Sequence, residues 1–181
     1  MKIRMAAFDS PIGRLALAVG PEGLLRLELG GDQELVEAGL RRRFGALETR
    51  NESDPGGAVT RVQRYFAGEL QALDEIRVDP GGTPFQNAVW LELRHIRAGE
   101  TWSYARLAQA LGRPSAVRAV GAANGANTIP LVLPCHRVIG SDGRLVGYGG
   151  GLERKEWLLR HERARFVGER RQQALFTAAG A

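Results

Sequence analysis

The sequence predicts an α+β fold: a small α/β amino-terminal domain, residues 1–82, followed by a mostly helical domain over residues 83–163. Three observations carry this. Short alternating apolar runs open the chain, separated by Gly- and Pro-containing turns. Helical spacing takes over from residue 33 onward. Two short helical patterns then follow each other across the tight turn "GRP", which is the helix-turn-helix arrangement.

The segments "MKIRMAAFDS", "GRLALAVG" and "GLLRLELG" read as strands joined by turns at "SPIG" and "GPEG". "QELVEAGLRRRF" has helical spacing, with Leu35, Val36, Leu40 and Phe44 on or near one face. "NESDPGG" is a loop, and "VTRVQRYFAGE" is a second helix. The boundary falls in "DPGGTP", residues 79–84. Beyond it, "FQNAVWLELRHI" forms a helix that buries Phe85, Val89, Trp90, Leu93 and Ile96. "SYARLAQALG" starts on Ser103 as N-cap, buries Leu107 and Leu111, and stops at Gly112. "SAVRAVGAAN" is the next helix, capped by Ser115. Its side chains are small and Arg118 is its one charge, whereas major-groove readers need long polar side chains. Such a slim helix suits close approach to a nucleic-acid backbone or minor groove; the same residues also allow tight packing on a neighbouring helix. "LERKEWLLRHE" is an amphipathic helix, and residues 164–181 form an arginine-rich tail.

Charge separates the halves. Residues 1–82 hold 11 basic and 13 acidic side chains and residues 83–181 hold 14 and 7, so the overall +5 arises entirely in the second half. A polyanion such as nucleic acid is one partner of this charge; an arginine-rich solvated surface is the other explanation. No apolar run approaches the ~18 residues of a membrane span. The amino terminus shows no signal-peptide core, and a single cysteine excludes an internal disulfide, which together predict a cytoplasmic protein. With one cysteine and three histidines, a thiolate-rich zinc site is excluded.

That cysteine lies in "PLVLPCHRVIG". A lone buried cysteine is usually an inert small hydrophobe, but three features set this one apart. Pro130 and Pro134 stiffen the approach, while His136 and Arg137 bring polar groups that can stabilise a thiolate. The glycine-rich "VGYGGG" permits a flat ligand to approach bare backbone. Glu162 is a carboxylate able to orient an imidazole in a Cys–His–Glu relay.

With "SYARLA", "RAVG" and an Asn before it, and "GYGGGLERKEWLLRHE" after it, the "PCHRV" core resembles the O6-alkylguanine-DNA alkyltransferase family over residues 83–163. The first half resembles that family's ribonuclease H-like domain in size and strand pattern. The resemblance implies that Cys135 accepts the alkyl group from guanine O6 and keeps it as a thioether. It implies that His136 and Glu162 draw off the thiol proton through a water. Tyr104 matches a tyrosine that helps rotate the target phosphate and donates towards the departing guanine. Arg118 matches the arginine that fills the space of the extruded base, on a DNA-binding helix with Ser115, Ala116 and Ala119. Asn127 matches an asparagine tying that helix to the active-site turn, and Arg137 one that holds the fold together. Pro130, Val138, Tyr148 and Gly149 fall at the pocket for the flipped base. Some relatives carry serine at Gly149, so only a backbone contact survives here, and the zinc ligands of some relatives' first domain are missing.

The implied reaction consumes the protein, because a thioether has no water-labile bond. It needs no cofactor and no metal, only double-stranded DNA containing O6-alkylguanine, and a monomer suffices. A Cys–His hydrolase would use the same pair but requires an oxyanion hole and a turnover route. A helix-turn-helix regulator, or a sensor of alkylated bases that does not repair them, is the remaining alternative.

Overall fold

The computed structural model describes residues 1–167 and divides into two compact units. One comprises residues 1–87 with 127–133; the other comprises 88–126 with the chain from 134 onward. The division is therefore not a single cut: seven residues just before Cys135 fold with the amino-terminal unit.

In the first unit, β1 (Lys2–Phe8), β2 (Leu15–Val19), β3 (Leu24–Leu29) and β4 (Glu48–Asn51) form one sheet in the order β3-β2-β1-β4. β1 and β2 pair antiparallel across a Ser10–Gly13 turn, and β2 pairs antiparallel with β3. Every residue of the central β2 is buried, so both faces of the sheet are covered there. Helix α1 (Gln33–Phe44) starts on Asp32, whose carboxylate accepts from the Leu35 amide at 2.9 Å. It lays Val36 and Leu40 on Ile3, Met5, Ala16, Ala18 and Leu25, with Phe44 partly buried against them. Leu35, expected on that face, is 45% exposed, because the buried stripe follows positions 36 and 40. β4 pairs parallel with β1 and went unforeseen: "ETRN" has no apolar alternation, and its pairing with β1 alone makes it a strand. Asn51, read as the start of a loop, ends this strand. Helix α2 (Ala58–Phe66) buries Val59, Val62 and Tyr65.

Helix α3 (Pro84–Glu92) opens with a reciprocal capping box. The Thr83 hydroxyl accepts from the Gln86 amide at 3.2 Å, and the Gln86 side chain accepts from the Thr83 amide at 2.9 Å. A 3-10 turn over Leu93–His95 continues it. Val89, Trp90, Leu93 and Ile96 are buried as expected, while Phe85 is only half-buried.

The second unit pairs β5 (Trp102–Ser103) parallel with β6 (Val138–Ile139). Helix α4 (Tyr104–Ala110) is capped by Ser103, whose hydroxyl accepts from the Arg106 amide at 3.1 Å. Leu107 is buried, Leu111 only half-buried, and Gly112 takes the left-handed backbone (φ +68°) that ends the helix. Helix α5 (Val117–Gly125) begins one residue later than expected. Its N-cap is Ala116, which has no side-chain oxygen to offer, and Ser115 stands exposed before it. Helix α6 (Leu152–His161) buries Lys155, Leu158 and Leu159. After it, Ala164 and Phe166 pack with Ile139 and Leu159. Of the expected tail, residues 168–181 lie outside the described residues. Among the described residues no helix is long and apolar enough to cross a membrane.

Candidate active site

Cys135 opens a 3-10 turn, Cys135–Arg137, directly after Pro134 and directly before β6. The whole stretch from Leu131 to Ile139 is buried, Cys135 at 5% exposure. The segment before it is held inside the amino-terminal unit. Asn127 donates its amide to the Leu133 carbonyl at 2.7 Å and accepts from the Ile129 amide at 3.0 Å. Within this turn Leu131 is buried with φ +74°, a left-handed conformation that disfavours a branched side chain by about 1–2 kcal/mol. Asn127 and Pro130 thus belong to the first unit. Cys135, His136, Val138, Tyr104, Tyr148 and Glu162 belong to the second.

Helix α6 supplies the carboxylate. Glu162 closes that helix, its amide donating to the Leu158 carbonyl at 2.9 Å. His136 Nε2 and Glu162 Oε1 are 2.9 Å apart with both side chains fully buried. Arg137 adds a fork: Nε donates to Oε2 at 2.9 Å and one terminal nitrogen to Oε1 at 2.8 Å. The other terminal nitrogen donates to the Ile96 carbonyl at 2.6 Å. Burial alone would raise the Glu162 carboxyl, but the His136 ring and the Arg137 guanidinium outweigh it and hold it well below the carboxylate range. Burial pushes the His136 imidazole down despite Glu162, so the resting ring is neutral. An ionised carboxylate only accepts, which places the ring proton on Nε2. Nδ1 therefore carries a lone pair, and it is buried without a hydrogen-bond partner among the described residues.

Strand pairing brings Tyr104 to this turn. β5 ends at Ser103 and lies in register with β6, so the first residue of α4 arrives beside the chain that has just left Cys135. Burial raises the Tyr104 phenol, the polar Asn124 side chain partly offsets this, and charge on Cys135 adds to the rise. Tyr148 is raised well above the usual phenol range, by burial first and by charge on Cys135 second. Its hydroxyl is buried with no hydrogen-bond partner among the described residues, although its ring is partly exposed. Tyr104 and Tyr148 thus both lie within electrostatic reach of the thiol.

Lys155 does too, and sequence reasoning missed it. Its ammonium is fully buried and donates to the carbonyls of Val138 and Val146, each at 2.7 Å, and Gly147 at 3.3 Å. It ties β6 to the start of the glycine-rich loop. Burial lowers it to about 8, and charge on Cys135 opposes that shift. A usable signal existed: Lys155 is one of two lysines in an arginine-rich chain and shares the inward face of α6 with Leu158, Leu159 and Glu162.

Arg118 and Ala119 are exposed on α5, Ala116 is half-buried before it, and Gly149 is exposed in the loop. No ion pair engages Arg118 among the described residues. There is likewise no group of three His, Cys, Asp or Glu side chains among them that could hold a metal ion.

Two family models match. Residues 3–80 match the 6-O-methylguanine DNA methyltransferase, ribonuclease-like domain, and residues 84–164 match the DNA binding domain of the same proteins. Among curated relatives, a methylated-DNA–protein-cysteine methyltransferase of Salmonella typhimurium is 54% identical over 123 residues, covering 68% of this chain and 72% of that protein. One from Mycobacterium bovis is 44% identical over 166 residues, covering 90% and 94%. The crystal structure of Mycobacterium tuberculosis OGT in complex with DNA superposes with a TM-score of 0.74 at 40% identity, covering 90% of this chain and 93% of that one.

Proposed function

This chain belongs to the 6-O-methylguanine DNA methyltransferase family, and on that premise we propose that Cys135 is the residue it alkylates. Its activity is direct DNA repair: a methyl group moves from methylated DNA to a cysteine of the protein itself. A single cysteine is available, Cys135, and it stands directly before a neutral, carboxylate-bound histidine. That observation carries the reading.

His136 Nδ1, with its lone pair, takes the thiol proton, directly or through one water, and Glu162 stabilises the resulting imidazolium. The thiolate attacks the methyl carbon, a carbon–sulfur bond forms and the carbon–O6 bond breaks. The electron pair goes to guanine, which ends protonated as the ordinary base, the proton lost by the thiol being balanced there. Tyr104 donates towards the leaving base as its negative charge grows. Lys155 holds the Val146–Gly147 backbone, so that the following Tyr148 and Gly149 flank the base. Nothing regenerates the thiol, so each molecule acts once. The protein works on duplex DNA as a monomer in the cytoplasm.

Guanine must first leave the stack, at a cost of a few kcal/mol. Arg118, exposed and without an ion pair among the described residues, offsets this by filling the gap, with the small residues Ala119, Ala116 and Ser115 letting α5 approach the duplex. Arg118→Ala is expected to slow repair by about 10–100-fold, from the loss of ~1.4–2.8 kcal/mol of support for the extruded state. Its thermal midpoint should hardly move, since exposed substitutions usually stay within about 0.5 kcal/mol. Single-turnover kinetics and a melt on the same variant check both; equal repair rates at saturating DNA would reduce Arg118 to phosphate contact.

The test of the whole reading is intact mass after incubation with a duplex carrying one O6-methylguanine. One methyl per protein, mapped to the Cys135 peptide and not exceeded with excess DNA, is the expected result. Repeated turnover by one molecule would exclude it.

A further inference from the structure

The sheet of the amino-terminal unit carries a cleft of about 210 Å3 that alkyl transfer does not use. Side chains alternate along a strand. Ile3, Met5, Ala18 and Leu25 pack under α1, and their neighbours Arg4, Val19 and Leu24 line the cleft on the opposite face. The β2–β3 turn, the Pro55–Gly56 turn, α2 and the segment 75–77 complete it. Neither His nor Cys lines it, so it offers no ligand for a soft metal.

Three guanidiniums line the cleft from three separate segments. Arg61, on α2, is fixed: one terminal nitrogen donates to the Gly56 and Gly57 carbonyls at 3.1 and 2.8 Å, and Nε donates to Glu75 at 3.3 Å. Its other terminal nitrogen makes no hydrogen bond among the described residues. Arg4, on β1, is only 33% exposed, yet the carboxylate it pairs with, Glu52, stands at 3.7 Å, beyond hydrogen-bond distance. The second oxygen of Glu52 accepts from Arg50 at 3.1 Å. The Arg4 head lies beside the Pro55–Gly56 turn, 3.7 Å from where a Cβ on Gly56 would be. Arg77 is exposed and 3.9 Å from the equally exposed Glu22. Glu75 is already gripped by Arg64, which donates to its two oxygens at 3.1 and 3.2 Å. Two half-buried guanidiniums are thus left with unfilled N–H groups at one cleft.

A carboxylate has two oxygens in one plane and is filled by a single arginine fork. A phosphate has more acceptor oxygens, spread tetrahedrally, and takes donors from several arginines at once. Val19, Leu24 and Ile76 are buried and give the cleft an apolar wall. Its volume is below the about 300–1,000 Å3 of pockets for drug-sized ligands, which suits a phosphate joined to one small body such as a pentose. We propose that this cleft is a binding site for the phosphate group of a small phosphate ester, held by Arg4 and Arg61 with Arg77 as the outer contact. The ester's body rests on the Val19, Leu24 and Ile76 wall. A free sugar phosphate and a sugar-phosphate unit of the DNA backbone both present this chemistry, and neither involves Cys135.

Ribose 5-phosphate, inorganic phosphate and ribose, titrated into the full chain at constant ionic strength, test the site by calorimetry and by the amide NMR signals of Gly20, Gly23 and Gly56. Ribose 5-phosphate should bind with a Kd of about 1 mM or tighter, the scale of a few charge-assisted hydrogen bonds net of ordering, and should move all three glycine signals. Inorganic phosphate should bind about threefold or more weakly, having no body for the wall, and ribose should not bind. Arg4→Gln should weaken ribose 5-phosphate about tenfold, and Arg4→Lys, which keeps the charge without the fork, about threefold. Undamaged duplex separates the two sources. If the backbone supplies the phosphate, duplex displaces ribose 5-phosphate and loses affinity in Arg4→Gln by a similar factor; if a free ester does, duplex leaves the glycine signals in place. Either result supports the phosphate site. Absence of saturable ribose 5-phosphate binding, equal affinity for ribose, or a Kd unchanged in both Arg4→Gln and Arg77→Gln would overturn it. Arg77 is exposed, so Arg77→Gln, expected to cost about threefold, keeps the test decisive should Arg4→Gln fail to fold.

Discussion

Cys135→Ser should lose alkyl transfer completely while still binding duplex that carries O6-methylguanine. A thiol ionises near pH 8.5, within reach of an imidazole, and its thiolate is strongly nucleophilic. A serine hydroxyl offers neither property, and His136 cannot draw its proton to any useful extent. The side chain is only 5% exposed and the replacement is slightly smaller, so the site should keep its shape. Gel-shift affinity within about threefold of wild type, a difference below ~0.7 kcal/mol, would show this. Residual methylation of the serine variant at any other residue would refute the acceptor assignment. The reacted wild type should show the opposite defect. Cys135 lies in a continuously buried run from Leu131 to Ile139, so an added methyl overpacks the site by about 1–3 kcal/mol. A domain of this size loses roughly 2–4 °C of midpoint per kcal/mol, and calorimetry before and after reaction would read it. An unchanged midpoint would mean that the base pocket already has room for the methyl.

How much of this was legible in the sequence depended on whether a residue's role is local. Cys135, His136 and the Ser103 cap announce themselves in consecutive residues, and the buried face of α6 follows from its spacing. Glu162 could be named from the helix that carries it, though its pairing with His136 spans 26 residues. Arg137 was read as structural, and its bidentate grip on Glu162 gives that role a definite partner. Lys155 left only a compositional signal, one of two lysines in an arginine-rich chain. Its partners, the carbonyls of Val138, Val146 and Gly147, come from other elements and leave no trace in the pattern of α6. The pairing of β5 with β6, two residues long, leaves no periodic trace, yet it brings Tyr104 to the cysteine turn. The return of residues 127–133 to the amino-terminal unit is equally invisible to pattern, because the Leu27 amide donates to the Thr128 carbonyl at 3.0 Å across a hundred residues of chain.

Glu162→Gln should both destabilise the protein and cripple transfer, and its pH dependence separates the two. The carboxylate accepts from His136 Nε2, Arg137 Nε and an Arg137 terminal nitrogen; glutamine must turn an NH2 towards one of these donors. It also strips the buried Arg137 guanidinium of its counter-ion. Breaking a buried pair on one side typically costs about 3–5 kcal/mol, so the urea midpoint should fall sharply at pH 7. Glu162 has a folded pKa held below its unfolded value near 4.3. Its ionised form therefore contributes stability that is complete above that unfolded value and is lost as pH falls towards the folded one. The wild type should lose stability below about pH 4.3 through this group, and Glu162→Gln should lack that part of the acid slope. His136 has the same sign: its lowered folded pKa makes protonation below about pH 6.5 destabilising in both proteins. Transfer should follow His136, since a protonated Nδ1 cannot accept the thiol proton, so the acid limb of the wild-type rate lies below pH ~6.5. In Glu162→Gln the imidazolium formed during transfer has no carboxylate to stabilise it, and the rate should fall by about 10²-fold or more even where the variant is folded. His136→Ala should then add little on top of Glu162→Gln, as expected for residues that act as one unit. A Glu162→Gln protein that keeps its wild-type urea midpoint and wild-type rate would show that the buried carboxylate neither holds Arg137 nor supports His136.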